Sequence, residues 1–410
     1  MSPRERNAPN EVNVLGVWLG ERRAGTLVRL PDDRVTFAFD PGYAADPDRP
    51  TLSLGFKGSS GGLVTPPMSK TKLPPFFANL LPEGELRTYL AARAGVKEVR
   101  DFPLIALLGG DLPGNVTVRA EGEDEAPIAT KMDADTQSRP LKFSLAGVQL
   151  KFSAIENAAG GLTIPVSGAG GEWIIKLPSM RFPQLPLHEY LMLELARQVG
   201  IGVPATRLIE AHTIAGLPHD VALPEPQALT VQRFDRAPEE RVHAEDFAQV
   251  FGVYPDQKYE VASSASLGRV VYAESGLSMF LEYVRRLVFT VLIGNGDMHL
   301  KNWSLMYPDG RKPVLAPAYD FVGTIVYMPP GESLGLSLSR TKRFAAVSMR
   351  HFRRLANHVG APQLPVTETV QETIRAFQRA WREGDVAVRL PAGQRERLQE
   401  HLETLDLWRI

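Results

Sequence analysis

Three residues in the second half of the chain have the types and spacing for phosphoryl transfer. Asp297 and Asn302 stand five positions apart in Ile-Gly-Asn-Gly-Asp-Met-His-Leu-Lys-Asn (293–302), and Asp320 follows in Tyr-Asp-Phe-Val-Gly. Moving a phosphoryl group from ATP takes little covalent help. It needs a carboxylate to accept the hydroxyl proton, oxygen ligands for Mg²⁺, and cations on the phosphates. The Asp-x-x-x-x-Asn spacing is that of a protein-kinase catalytic loop, which makes Asp297 the base and Asn302 a metal ligand. Asp320 stands where the second metal-binding carboxylate belongs, and such hard oxygen donors suit Mg²⁺. Any one of these residues alone reads as readily as a turn or a helix cap. Their joint occurrence after an apolar helix is what points to chemistry.

Ile174-Ile175-Lys176-Leu177 ends an apolar strand on a lysine, ahead of an amphipathic helix over 187–200. A kinase places there the lysine that grips the ATP phosphates, paired with a helix glutamate. Glu189 and Glu194 both lie on that helix, and Glu189 is preferred. The small-residue turn from Ser144 to Lys151 lies between two short strands, and backbone amides in such a turn can cradle phosphate. Val231-Gln232-Arg233-Phe234-Asp235-Arg236 closes the strand-rich half. Gln232 and Phe234 fall where a hinge meets adenine. His299 is read as positioning the catalytic loop within the nucleotide site, not as a metal ligand.

These groups need a scaffold. Residues 12–57 alternate apolar and polar around turn residues, which predicts an antiparallel sheet. Helical spacing follows over 74–96 with Gly95 as its stop, then a short apolar helix or strand at 102–108 and a strand in Val-Thr-Val-Arg-Ala. The predicted domains are an N-terminal α+β module over 12–120, a polar linker over 121–140, a sheet-rich lobe over 141–236 and an all-helical lobe over 237–410. In the last of these AEDFAQVFG, SMFLEYVRRLVFTVLIG and SMRHFRRLANHVG are each read as helix. The fold class is α+β, a bilobal kinase-like arrangement with an added N-terminal subdomain.

Bulk properties set limits. The 410 residues are 44% hydrophobic and 23% charged with a formal net charge of -1, so the chain is no polycation. Cysteine is absent, which excludes disulfides and thiolate sites and fits a reducing compartment. The first residues are polar and no apolar run approaches the ~18 residues of a membrane helix, so a cytoplasmic protein is expected. The eight histidines form no His-Glu-x-x-His pair, and there is no Gly-x-Ser-x-Gly elbow. The basic stretch over 339–354 reads as a solvated helix face, with an acidic or nucleic-acid partner as the alternative.

Read together, SLAGVQLKFSA, EWIIKLPS, PLHEYLMLELARQVGI, LTVQRFDR, HAEDFAQVFGV, GNGDMHLKNWSL and PAYDFVG resemble the successive signatures of the HipA toxin kinases. GDLPGNVTV is similar to the end of that family's N-terminal subdomain. The resemblance runs over residues 12–380 and implies a serine/threonine protein kinase of a type II toxin–antitoxin system. Its implied partners are a HipB-like helix-turn-helix antitoxin, DNA mainly through that complex, and an aminoacyl-tRNA synthetase as substrate, chiefly the glutamyl enzyme. Growth arrest and persistence would follow. Carried over by motif, Asp297 is the base, Asn302 and Asp320 hold Mg²⁺, and Lys176 grips ATP. Ala146, Gly147, Val148, Gln149 and Lys151 cover the phosphates, and Ser144 is the autophosphorylation site. Two positions depart from the pattern, Leu150 in the phosphate turn and Gln232 at the hinge, and both lie near the nucleotide. A non-catalytic nucleotide-binding component and a small-molecule kinase of aminoglycoside-phosphotransferase type are the competing readings.

Overall fold

A computed structural model describes residues 13–59, 61–93, 95, 97, 100–121, 151–157, 161–164, 171–217, 221–236 and 240–410. The first sheet has the order β4-β3-β2-β1-β5, from β1 (Val14–Leu19), β2 (Arg22–Arg29), β3 (Arg34–Phe39), β4 (Ser69–Lys70) and β5 (Val116–Ala120). All its pairings are antiparallel. The period-two pattern sends Leu15, Val17 and Leu19 of β1 into one core with Phe37, Phe76, Phe77 and Phe102. Around it lie α1 (Pro41–Ala45), α2 (Pro75–Ala78), α3 (Gly84–Arg93) and α4 (Asp101–Leu108). The apolar run at 102–108, open between strand and helix on sequence, is thus helical.

A second antiparallel sheet, β7-β6-β8-β10-β9, is built from β6 (Lys151–Glu156), β7 (Leu162–Thr163), β8 (Trp173–Lys176), β9 (Thr206–Glu210) and β10 (Gln227–Gln232). Helix α5 (Leu185–Gln198) lies against β9 and β10 and buries Leu191, Met192 and Leu195. Each such side chain removed from water contributes ~1.5–3 kcal/mol.

The rest of the chain is mainly helical: α6 (Phe247–Val250), α7 (Ser264–Leu292), α8 (Met349–Val359), α9 (Gln363–Glu383), α10 (Val386–Arg389) and α11 (Ala392–Thr404). Helix α7 supplies the centre, with Phe280, Tyr283 and Phe289 fully buried, and α8 and α9 pack on it. Gly276 breaks α7 at φ 79°, ψ -175°, a conformation that a side chain disfavours. The expected all-helical half also holds a small sheet, β11 (His243–Asp246), β12 (Ser304–Tyr307) and β13 (Val314–Leu315). The segment read as one helix from Ala244 is therefore a strand followed by a single turn. Pairing of β11 with β12 overrides the local helical pattern, and Asp246 with Gln249 forms the capping box that starts α6. Arg353 and Arg354 lie exposed on α8 while Phe352 and Leu355 are buried, so the basic side chains at the end of that stretch are on the outer face of the helix. Among the described residues no helix is long and apolar enough to cross a membrane.

The N-terminal module is bonded to the helical half through a buried carboxylate. Glu245 of β11 accepts from the Ser53 hydroxyl (2.5 Å), the Leu54 amide (2.9 Å) and the Tyr307 hydroxyl (2.5 Å). Burial pushes its carboxyl up to about 7, from an ordinary 4.5, against the pull of these donors. A carboxyl raised in the folded state contributes stability that is complete below its unfolded value and lost as pH rises through about 7. A shift of this size is worth ~3 kcal/mol. Glu245→Gln is expected to abolish that dependence. Urea stability of wild type relative to the variant should be lower at pH 8 than at pH 5 by a few kcal/mol. An equal difference at both pH values would assign the ionisation to another group.

Candidate active site

The turn after α7 is held by its own asparagine. The Asn295 side-chain oxygen accepts from the Asp297 amide (3.0 Å), and its side-chain nitrogen donates to the Asp320 carbonyl (3.3 Å), so one residue joins the two chemical loops. Thr324 accepts from the Gly296 amide (2.8 Å) and donates to Glu332 (2.7 Å). Asn302 donates through its side-chain nitrogen to the Asp297 carbonyl at 2.8 Å. That bond closes the five-residue loop and leaves the Asn302 amide oxygen directed elsewhere, as a metal ligand requires. Asp320 has φ 53°, a left-handed backbone conformation uncommon for any residue but glycine. Such conformations cost ~1–3 kcal/mol and persist only where their surroundings impose them.

On the facing sheet, Lys151 and Lys176 are direct cross-strand partners. Like charges so placed repel unless an anion intervenes. Asp320 is that anion: it bonds the Lys176 ammonium and lies 3.3 Å from Lys151 Nζ. Lys176 also bonds Glu189 of α5, whereas Glu194 turns to Arg197 at the surface. Burial works against the Lys176 charge, but the two carboxylates outweigh it and hold the lysine protonated well above its ordinary range. Burial likewise opposes the Asp320 charge, and the two lysines overcome it, keeping the carboxylate ionised far below the usual range.

One cleft of about 620 Å³ is lined by Lys151, Lys176, Gln232, Phe234, Asp297, His299, Asn302 and Asp320. Of the sequence-predicted residues that fall among the described ones, these eight line the same space, and Glu189 supports Lys176 from the buried side. Ser144, Ala146, Gly147, Val148 and Gln149, with Leu150, lie outside the described residues. Phe234 stacks on Tyr319 at 5.7 Å between centroids and 30° between planes. The Gln232 amide is taken by the Ala205 carbonyl (2.8 Å), which carries the β9–β10 pairing one residue beyond the start of β9. His299 is buried; its burial and the Lys258 ammonium push the ring down to about 4, so it is neutral near pH 7. Among the described residues no three His, Asp or Glu side chains group as a closed metal site. Asn302 with Asp320 is the donor pair that suits an ion drawing its other ligands from phosphate and water.

Several contacts of the cleft residues were not read from the sequence. Tyr259 donates its hydroxyl to Asp297, and burial together with the Asp297 carboxylate raises the phenol far above its ordinary range, so it remains a donor. Glu83 of the N-terminal module bonds Lys301 (2.8 Å) and Lys258 (3.0 Å), and thereby reaches the Asp297–Asn302 loop. At the wall of the same cleft, Arg233 clasps Asp235 at 3.0 and 2.9 Å. Arg236 bridges Asp235 (2.8 Å) and Asp111 (2.9 Å), and the Gly114 amide donates to Asp235 (2.7 Å). The alternation of Arg and Asp in Gln-Arg-Phe-Asp-Arg was the available signal. Nothing local named the partner loop 121 positions upstream in sequence.

The chain matches two family models, the HipA N-terminal domain over residues 15–119 and the HipA-like C-terminal domain over 143–381. It is 46% identical over 404 residues to the "Putative kinase Y4dM" of Sinorhizobium fredii, covering 97% of this chain and 98% of that one. It is 29% identical over 406 residues to "Putative kinase Y4mE" of the same organism, covering 90% and 92%. Among solved structures it is similar to the Shewanella oneidensis MR-1 toxin–antitoxin complex of HipA, HipB and operator DNA. That match has a TM-score of 0.72 and 20% identity, covers 96% of each chain, and speaks to the fold. A bilobal α+β chain with these two domains and relatives of matching length belongs to the HipA family of kinases.

Proposed function

We propose that this chain is an Mg-ATP-dependent serine/threonine protein kinase that acts as the toxin of a toxin–antitoxin pair. The observation that carries the reading is the meeting, in one cleft, of Asp297, Asn302, Asp320 and Lys176, the last held from behind by Glu189. The substrate hydroxyl gives its proton to the Asp297 carboxylate as its oxygen attacks the γ-phosphorus of ATP. The bond from that phosphorus to the bridging oxygen breaks, and ADP leaves. Lys176 and Lys151 would neutralise phosphate charge, and Asp320, paired with both, would with Asn302 hold a Mg²⁺. When bound there, Mg²⁺ would supply charge neutralisation on the transferring phosphoryl group. Gln232 and Phe234 border the adenine end, with Phe234 fixed by Tyr319.

The substrate is a protein serine or threonine, and an aminoacyl-tRNA synthetase of the glutamyl type is the favoured target. Ser144 is proposed as the site of self-phosphorylation. A phosphoserine carries about −1.5 to −2 charges, and beside the ATP phosphates it would repel them and silence the enzyme. A HipB-like antitoxin is the proposed partner, with DNA reached through that complex. The likeness to the Shewanella HipA–HipB–DNA structure supports this part.

The test is incubation with Mg-ATP carrying a γ-phosphate label, glutamyl-tRNA synthetase and an aminoglycoside in parallel. Label on serine in the synthetase, and on Ser144, supports the reading. Label on the antibiotic alone would replace it with a small-molecule kinase, and no transfer together with tight nucleotide binding would replace it with a binding component.

A further inference from the structure

His188 is fully buried on α5, directly beside Glu189, and both of its ring nitrogens are engaged. The Gly323 amide, three residues beyond Asp320, donates to Nε2 at 2.9 Å. A nitrogen that accepts from a peptide N–H carries no proton, so the ring proton sits on Nδ1. That nitrogen lies 2.8 Å from the side-chain oxygen of Gln394 on α11. Gln394 is itself braced, donating to the Tyr327 hydroxyl at 3.1 Å and the Pro183 carbonyl at 3.4 Å. The Tyr327 ring stands edge-on to the imidazole, with centroids 5.4 Å apart.

We propose that His188 is a positioning residue for phosphoryl transfer: fixed in one tautomer by Gln394 of α11, it holds the Gly323 amide and so sets the 320–323 turn and its Asp320 carboxylate against the Lys176–Glu189 pair. The proposal rests on the reading of Asp320 as a metal-binding carboxylate. Two consecutive residues of one rigid helix reach the two halves of the site, Glu189 to Lys176 and His188 to the turn. Successive helix residues point in different directions, so the two contacts fix the orientation of the turn as well as its distance. The turn needs such support, because Asp320 is in the left-handed region. Besides the two lysines on the Asp320 carboxylate, its anchors include the Asn295 side chain on the Asp320 carbonyl and His188 on the Gly323 amide. There is no slack at Gly323, where a Cβ would lie 2.7 Å from the Ile293 carbonyl and 3.2 Å from His188 Nε2. Gln394 extends the chain of contacts to α11, so the last long helix of the protein is mechanically joined to the metal-binding turn. This contact pattern is the one by which outer residues orient a ligand that they do not themselves replace.

The test compares wild type with His188→Leu, which keeps bulk but no hydrogen bond, and His188→Gln, which can offer an amide oxygen to Gly323. Gln394→Leu removes the brace alone. Two readouts are taken: the Mg²⁺ dependence of phosphate transfer, separating half-saturation from maximal rate, and hydrogen–deuterium exchange of peptides spanning 318–326 without nucleotide. His188→Leu is expected to lose ~10–100-fold, spread between weaker Mg²⁺ half-saturation and lower rate. Exchange at 318–326 should be faster, and His188→Gln should recover most of both losses. A variant that merely melts earlier, with unchanged Mg²⁺ dependence and unchanged exchange, overturns the proposal. If His188→Leu does not fold, normal values of both readouts in Gln394→Leu overturn it instead. Asp320→Ala separates the two levels. If it transfers phosphate as wild type does, the active-site reading itself fails. If it is inactive while His188→Leu is normal, only the role of His188 fails.

Discussion

Asp297→Asn is expected to bind Mg-ATP as the wild type does and to transfer almost no phosphate. The substitution changes one oxygen for an NH₂ group. The backbone bonds that shape the loop, from the Asp297 amide to Asn295 and from Asn302 to the Asp297 carbonyl, do not involve the side chain. The amide oxygen can still accept the Tyr259 hydroxyl. What is lost is the ability to take a proton, and removal of a general base costs ~10²–10⁴-fold in rate. Intact masses and peptide maps after incubation with Mg-ATP measure the transfer, and a nucleotide titration measures binding. Phosphate on Ser144 in wild type and none in the variant, at equal nucleotide affinity, is the expected pair of results. A variant phosphorylated at the wild-type rate would remove Asp297 from the role of base. A variant that also lost nucleotide affinity would mean that the carboxylate serves the cleft structurally.

The parts of this fold that could be read in the sequence are those set by short-range physics. The alternation in Val14–Leu19 and the helical spacing in 187–198 depend only on which face is buried, and both elements form where that pattern runs. The same holds for the order of the chemical groups along the chain, since Asp297 and Asn302 are placed by a loop that closes on itself. The misreading at Ala244 shows the limit. A four-residue strand is stabilised almost entirely by its neighbour, here Ser304–Tyr307, and that neighbour lies some sixty positions away. The choice between Glu189 and Glu194 was also long-range. Both are on one helix, and only the placement of α5 against the sheet turns Glu189 inward. Lys151 was read as a phosphate contact, but its cross-strand register with Lys176, and hence its share in Asp320, required the sheet pairing. The role of the N-terminal module was least legible. Its Glu83, Ser53, Asp111 and Gly114 are ordinary loop residues until the fold brings them against Lys301, Glu245, Arg236 and Asp235.

That last set of contacts carries the other large effect. Asp235→Ala is expected to destabilise the protein by ~3–5 kcal/mol, the usual cost of removing one partner from a buried ion network. Asp235 is 7% exposed and Arg233 8%, so little water reaches the site to replace the carboxylate. Burial opposes the Asp235 charge, and Arg233 and Arg236 overcome it, so the carboxyl stays ionised below its ordinary range. Its removal leaves the two buried guanidinium groups with Asp111 as their carboxylate, beside the neutral Ser153 hydroxyl and the Gly114 and Leu112 carbonyls, and it takes the acceptor from the Gly114 amide. Asp235→Asn keeps an acceptor and should cost less, which separates the charge from the hydrogen bonds. Chemical denaturation of both variants measures the loss. Since the clamp directly follows Gln232 and joins the N-terminal module to the wall of the cleft, nucleotide affinity should fall with it even in the folded fraction. If stability drops and affinity does not, the clamp holds the module to the kinase without shaping the nucleotide site. If neither changes, the charges are solvated in a way that the burial of Arg233 and Asp235 does not allow.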